Sequence, residues 1–203
     1  MKIDWANPGG PAAVAERVAG AVVRPGAKRI ALPGGSTPAA ILAELADRKL
    51  DWSGCEVWPT DDRQVPLDHP ASNYGRLRAA LGDSGARLIA LRDGESVPHF
   101  DLVWLGMGAD GHVASLFPRM AAGERLGPSV IATVPEPLPP EAPYPRLSLN
   151  LEALVATDAL ILGVTGPAKR AVLEAATRGE ADSLPIAQLL RAATCPVTIY
   201  WSE

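Results

Sequence analysis

The 203-residue chain is poor in several things that define common protein classes. It has two cysteines, Cys55 and Cys195, far apart, with no C-x-x-C pair and no neighbouring histidine. That excludes a disulfide framework and a thiolate zinc site, and points to buried thiols in a reduced compartment. No apolar run approaches the roughly 18 residues of a membrane span. The N-terminus, MKIDWANPGGP, has no apolar signal-peptide core behind its single early lysine, so a cytoplasmic location and no membrane partner are expected. Excess positive charge is missing too: 19 Lys and Arg against 23 Asp and Glu leave a net charge of −4. A general nucleic-acid partner is therefore not expected, although a few local cations can still hold a small anion.

Glycine and proline are plentiful, at 19 and 20 residues, about a fifth of the chain. This falls short of the roughly 25–30 % at which disorder becomes the better reading, and apolar residues reach 47 %. The glycines and prolines therefore belong in the turns and helix starts of an ordered fold. Length alone predicts one domain spanning residues 1–203.

Short β-branched or leucine-rich runs alternate with alanine-rich helical stretches, the pattern of an α/β protein with a largely parallel sheet. Helices are predicted over 11–23, from the Gly34–Pro38 turn to 47, over 72–81 with Ser72 or Asn73 as its cap, and over 151–156, 167–178 and 185–191. Strands are predicted over 29–32, 55–59, 87–91, 100–105, 129–134, 146–150, 159–164 and 197–201. The stretch Pro135–Pro145 reads as an extended loop, because the chain after it is too short for an independent core.

Four segments carry candidate chemistry. The first is strand–Gly34-Gly35-Ser36-Thr37-Pro38–helix. Its glycines admit a close ligand, Ser36 or Thr37 can cap the helix, and the free N–H groups face an anion. A plain, well-capped βα turn explains the same residues.

The second is Phe100-Asp-Leu-Val-Trp-Leu-Gly-Met-Gly-Ala-Asp-Gly-His112, followed by Val113-Ala-Ser-Leu-Phe-Pro118. Gly106, Gly108 and Gly111 fit G-x-G-x-x-G, with Glu136 about 25 residues on. Against a dinucleotide site stand Asp110 where a pyrophosphate would lie, Pro118 cutting the following helix short, and the unit's mid-chain position. His112 instead lies at the carboxyl end of a strand, where open α/β sheets bind ligands, and with Asp110 nearby it is a candidate general base. His69 and His99 read as ordinary loop residues, and Ser115, with no G-x-S-x-G elbow, as helix-face structure.

The third segment is Thr60-Asp61-Asp62-Arg63, whose acids can orient a histidine or hydroxyl and whose arginine can grip a phosphate. No ligand spacing such as H-E-x-x-H supports a metal, so none is expected. The fourth is Gly163-Val-Thr-Gly-Pro-Ala-Lys169. A lysine in the first turn of a helix runs against the helix dipole, which a bound anion would offset and bulk solvent can tolerate. Arg146 is a further candidate cation.

Taken in order, LPGGSTP, DDR-x-VP with SNY downstream, FDLVWLGMGADGHVASLFP, PRLSLN and GVTGPAK resemble the 6-phosphogluconolactonase family through most of the chain. The resemblance implies a Rossmann-like three-layer α/β/α fold and hydrolysis of a sugar-phosphate lactone in the oxidative pentose phosphate route, without a cofactor. It implies catalytic roles for His112, Asp110 and Asp61. Substrate or phosphate contacts would come from Gly34, Gly35, Ser36, Thr37, Arg63, Arg146 and Lys169. A deaminase of the same fold group carries an acid where this chain has Ser115-Leu-Phe-Pro118, which favours the lactonase. The alternatives are an aldose-phosphate isomerase or deaminase, and a non-catalytic sugar-phosphate-binding protein. Three features depart from the family: Asp62 stands where it has Glu, no lysine occurs in Pro135–Pro140, and the helix before Phe100 is missing. Oligomeric state is not encoded in any of these motifs; a monomer is compatible with them.

Overall fold

The computed structural model describes residues 2–120, 127–140 and 142–203, with the backbone alone at Ser36 and Thr37. In chain order the elements are β1 (Ile3–Trp5), α1 (Pro11–Val22), β2 (Lys28–Leu32), α2 (Ser36–Asp47), β3 (Cys55–Pro59), β4 (Asp61–Arg63), α3 (Asn73–Leu81) and β5 (Arg87–Leu88). They continue with β6 (Leu102–Leu105), β7 (Val130–Thr133), β8 (Arg146–Leu149), α4 (Leu151–Val155), β9 (Leu160–Thr165), α5 (Pro167–Thr177), α6 (Pro185–Ala192) and β10 (Val197–Ser202). Proline opens α1, α5 and α6, where its missing N–H costs nothing and its fixed φ suits the first turn.

Seven strands form one sheet in the order β1-β10-β9-β6-β2-β3-β5, and every neighbouring pair is parallel. The central strand β6 is apolar along its whole length, as a sheet covered on both faces requires; Leu102-Val-Trp-Leu105 is buried throughout. On one face Ile30, Leu32, Leu102, Trp104 and Ile161 pack with Val14 and Val18 of α1, Ile41 and Leu45 of α2, and Leu77 and Leu81 of α3. On the other, Ala31, Val103, Leu105 and Leu162 pack with Leu154 of α4, Leu173 of α5, and Ile186 and Leu190 of α6. The expected three-layer α/β/α arrangement is present.

From β2 the chain crosses to β3 on one side, while the next sheet strand after β6 is β9, on the other. The carboxyl ends of β2 and β6 therefore flank the point where the strand order reverses, the place where such sheets hold ligands.

Four points of the sequence reading need correction. Strand β1 was not anticipated: it is a three-residue edge strand with two exposed positions, too short and too polar to register as a pattern. The Asp61–Arg63 segment, outside every predicted strand, is strand β4, and 87–91 shrinks to the two residues of β5. The predicted strands at 129–134 and 146–150 form, but in a separate antiparallel sheet of order β4-β8-β7. The proline-rich stretch joins β7 to β8.

Cys55 and Cys195 are buried free thiols. Burial pushes both above their ordinary value of 9.0, with Lys28 pulling Cys55 partly back. The unfolded chain gives up these protons at lower pH than the folded one. Their contribution to stability is thus present below the ordinary thiol value and is lost as pH rises towards the folded one. Urea unfolding is expected to show constant stability from pH 7 to 8 and a decline above about pH 9. Replacing both cysteines by alanine should flatten that alkaline decline; an unaltered slope would assign it to other groups.

Candidate active site

Just beyond Leu105 the chain makes a compact glycine-rich loop. Gly108 donates its N–H to the carbonyl of His112 (2.9 Å), and Gly111 donates to that of Gly108 (3.1 Å). Gly111 sits at φ +81°, which an L side chain rarely adopts, and its carbonyl accepts from Ile186 at the start of α6 (3.0 Å). A methyl group on Gly108 would overlap both the His112 ring and the Asp110 carboxylate. Glycine is required there because those two side chains fold down onto its Cα.

The pair so placed is a His–carboxylate dyad. Nδ1 of His112 lies 2.7 Å from Oδ1 of Asp110, which also accepts the His112 N–H (3.2 Å). A carboxylate only accepts, so Nδ1 carries the hydrogen, and in the neutral imidazole Nε2 keeps its lone pair. Among the described residues Nε2 has no partner. The ring packs against Phe117 at 5.0 Å between centroids and is about one-third exposed. The neighbours of a proton acceptor open to a ligand are therefore in place.

Asp61 is buried on β4. Its Oδ2 accepts a 2.6 Å bond from Ser115 Oγ, and its Oδ1 accepts longer ones from Asn73 Nδ2 (3.3 Å) and Thr60 Oγ1 (3.4 Å). It bonds to the segment that bears His112 and makes no bond to His112 itself. Ser115, expected on a helix face, lies in a tight turn after Ala114, whose φ is +49°, and is buried. No helix occurs in 111–120.

Asp62 faces the other way and caps α3. Its carboxylate accepts the backbone N–H groups of Arg63, Asn73 and Tyr74 and the hydroxyl of Ser72, which itself accepts from Gly75 at the N-cap. An anion and a hydroxyl thus satisfy the first turn of the helix. Asn73 is a junction that sequence reasoning reached only as a possible cap. Its Nδ2 donates to the Asp61 carbonyl (2.8 Å), its Oδ1 accepts from Arg63 Nη1, and its Cβ fills the space where a side chain on Gly34 would stand.

The Gly34–Gly35 turn enters α2 with Gly35 as N-cap and no side-chain cap, contrary to the expected capping by Ser36 or Thr37. The side chains of Ser36 and Thr37 lie outside the described residues. Arg76 secures the turn by donating to the Gly34 carbonyl (2.9 Å).

The three candidate cations differ in commitment. Arg63 and Arg146 are cross-strand partners in β4 and β8, so their side chains leave the small sheet on one face. Arg146 is buried, and it donates to the carbonyls of Tyr144 and Ala142 (3.0 Å each). Arg63 binds Asn73, and its Nε is buried without a partner among the described residues. It borders a groove of about 500 Å³ between Val65, Leu67, Leu91 and Leu147. Lys169, in the first turn of α5 after Gly166 (φ +92°), makes no hydrogen bond or ion pair among the described residues. His69 accepts from the Ala71 N–H and stacks on Tyr144, and His99 pairs with Asp158 at the surface, as loop residues do. Among the described residues no three His, Cys, Asp or Glu side chains converge as metal ligands, and no helix is long and apolar enough to cross a membrane.

A parallel α/β sheet with a His–Asp dyad and two glycine turns at its switch point, and a lysine without a partner among the described residues in the helix after β9, is a candidate ligand site. Comparison with known proteins narrows the class. The family model described as glucosamine-6-phosphate isomerases/6-phosphogluconolactonase matches residues 11–92 and 83–201. The 6-phosphogluconolactonase of Caulobacter vibrioides is 35 % identical over 205 residues, covering 90 % of this chain and 87 % of that protein. The one from Rhizobium meliloti is 33 % identical, covering 93 % and 90 %. The solved structure of 6-phosphogluconolactonase from Trypanosoma brucei superposes with a TM-score of 0.82 at 25 % identity, over 99 % of this chain and 96 % of that one. The chain belongs to the glucosamine-6-phosphate isomerase/6-phosphogluconolactonase family.

The Asp62 cap gives a stability test that needs no substrate. Asp62→Ala strips four donors of a charged acceptor, and its unfolding free energy should drop by about 3 kcal/mol in a urea titration. Asp62→Asn, which keeps one acceptor oxygen, should lose less. An unchanged midpoint in both would show that α3 does not depend on this cap.

Proposed function

We propose that residues 1–203 act as one lactonase domain that hydrolyses 6-phospho-D-glucono-1,5-lactone to 6-phosphogluconate, in the oxidative pentose phosphate route. The observation that carries this reading is the His112–Asp110 dyad at the sheet's switch point, with Nε2 unpartnered among the described residues. The names of the relatives and the family match support the same substrate.

Hydrolysis of a lactone needs a base for water, donors for the tetrahedral oxyanion, and a proton for the departing ring oxygen. Nε2 of His112 takes a proton from water as its oxygen attacks the carbonyl carbon. Asp110 holds the ring and balances the imidazolium that results. The same proton then passes to the ring oxygen as its bond to the carbonyl carbon breaks, so the histidine ends as it began. General base help of this kind is worth about 10²–10⁴-fold. Backbone N–H groups of the glycine-rich turns, other than the Gly108 and Gly111 amides bonded within the loop, stabilise the oxyanion, each donor worth on the order of 10²–10³.

The 6-phosphate lies away from the reacting carbon and is held by charge. The Gly34–Thr37 turn, with the free amides at the start of α2, binds it. Of the three candidate cations, Lys169 alone makes no hydrogen bond or ion pair among the described residues, which favours it as the phosphate grip. Arg63 and Arg146 support that end of the cleft from the small sheet. Such remote binding positions the lactone for attack.

The deciding assay follows freshly generated lactone, with spontaneous hydrolysis subtracted. His112→Ala should lower kcat by about 10²-fold or more and leave KM nearly unchanged; full turnover would remove the base role. Lys169→Ala should raise KM roughly tenfold, as loss of one charge-assisted contact does, while kcat holds. A wild-type KM would remove Lys169 from the phosphate site.

A further inference from the structure

The loop carrying His112 and the small sheet carrying Asp61, Arg63 and Arg146 come from distant parts of the chain. Among the described residues, both hydrogen bonds that join residues 106–120 to the small sheet run through Ser115. Its hydroxyl donates to Asp61 Oδ2 (2.6 Å), and its N–H donates to Ser148 Oγ (3.2 Å). Asp61 and Ser148 face each other across β4 and β8 in the ladder, so Ser115 closes on one cross-strand pair. Ser148 passes its own hydrogen to the Leu149 carbonyl (2.9 Å). The left-handed backbone at Ala114 turns Ser115 inward towards this pair, a conformation that a non-glycine residue holds only when its surroundings compensate.

We infer that Ser115 is a positioning residue for His112, which locks the catalytic loop to the small sheet through the buried Asp61 carboxylate. This assignment rests on the lactonase reading of the His112 site. Ser115 does not touch the dyad. It stands three residues beyond His112, and the bridges Met107–Val113 and Val113–Leu116 connect it to the loop's base. The Ser115 bond is the short one to Asp61; the other oxygen has contacts of 3.3 and 3.4 Å. Removing the hydroxyl leaves a buried carboxylate short of its closest donor and the loop held to the small sheet by one N–H bond. Among the described residues Ser115 makes no bond to Lys169, Arg63, Arg146 or the Gly34–Gly35 turn, so the loss of its hydroxyl reaches the phosphate-side groups only through Asp61. The expected effect falls on turnover.

The test is a double-mutant cycle with Ser115→Ala and Asp61→Asn. Ser115→Ala should lower kcat about 10- to 100-fold, the scale of a small misplacement of a catalytic group, with KM within about threefold of wild type. Asp61→Asn should also lower kcat, and the double variant should fall no further than the worse single one, because both break the same link. Multiplying losses, or full turnover in Ser115→Ala, would overturn the assignment. Amide hydrogen exchange supplies a readout without substrate. In Ser115→Ala the Gly108 and Gly111 amides should exchange at least about tenfold faster while β9 and β10 amides keep wild-type rates. Unaltered loop exchange would overturn the positioning role. A wild-type chain without lactonase activity would overturn the proposed function alone and leave the exchange result to stand. Should Ser115→Ala fail to fold, the double variant, which removes the buried charge together with its donor, carries the exchange comparison.

Discussion

The parallel pairing of β2 with β6 is the constraint on which the site depends. Because the chain leaves these neighbours in opposite directions, their carboxyl ends open into a crevice that no crossover covers. Both following segments are glycine turns at that rim, one entering α2 and one folding into the His112 loop. Pairing of β6 with β9, in register at Leu105 and Leu162, brings the start of α5 and Lys169 to the same end of the sheet. The His112 loop, the start of α2 and the start of α5 thus lie at the same end of the sheet. The packing of two apolar layers on the sheet places them.

The small antiparallel sheet meets the crevice from a different direction and by different physics. It combines β4, which follows β3, with the β7–β8 hairpin inserted between β6 and β9, so its register joins Asp61 and Arg63 to Ser148 and Arg146. Buried polar groups hold it in place. A buried carboxylate such as Asp61 is tolerable only when donors surround it, and here they come from three segments: Thr60 on its own chain stretch, Asn73 of α3 and Ser115 of the His112 loop. The same need fixes Asn73 against Gly34, which ties the phosphate-side turn to β4. Satisfying one desolvated charge therefore sets the distances among three parts of the site.

The large sheet was legible from the sequence because its strands obey the simplest rule: continuous apolar runs between alanine-rich helices. Prolines and glycines then marked the ends of helices from α1 to α6. His112, Asp110 and Lys169 were visible because each stands in a place where an unliganded fold gains nothing from it. Short elements were not legible. Strand β4 reads Asp-Asp-Arg, with no apolar alternation, and exists because β8 offers it a ladder and α3 offers its acids donors. Ser115 was misread for a related reason: a serine before Leu-Phe fits a helix face locally, and nothing local announces a carboxylate 54 residues earlier in the chain. Asn73 was recognisable as a cap and not as a junction. Contacts that depend on register between distant segments leave no periodic trace.

The residues beside His112 also bear on the kind of chemistry that suits the cleft. Moving a proton between adjacent carbons of an open-chain sugar calls for a base and a second acid that face neighbouring positions. After the D-G-H motif this chain places Ser115, Leu116 and Phe117. The serine is spent on Asp61, and the phenylalanine ring lies against the imidazole at 5.0 Å. Asp110, the remaining acid in the loop, is bonded to Nδ1. Of the two imidazole nitrogens, Nε2 is the one left unpartnered among the described residues. Lactone hydrolysis uses a single such atom twice, first on water and then on the ring oxygen of the same tetrahedral centre. The phenylalanine that excludes a second acid from this side of the ring is thus compatible with hydrolysis and ill suited to isomerisation.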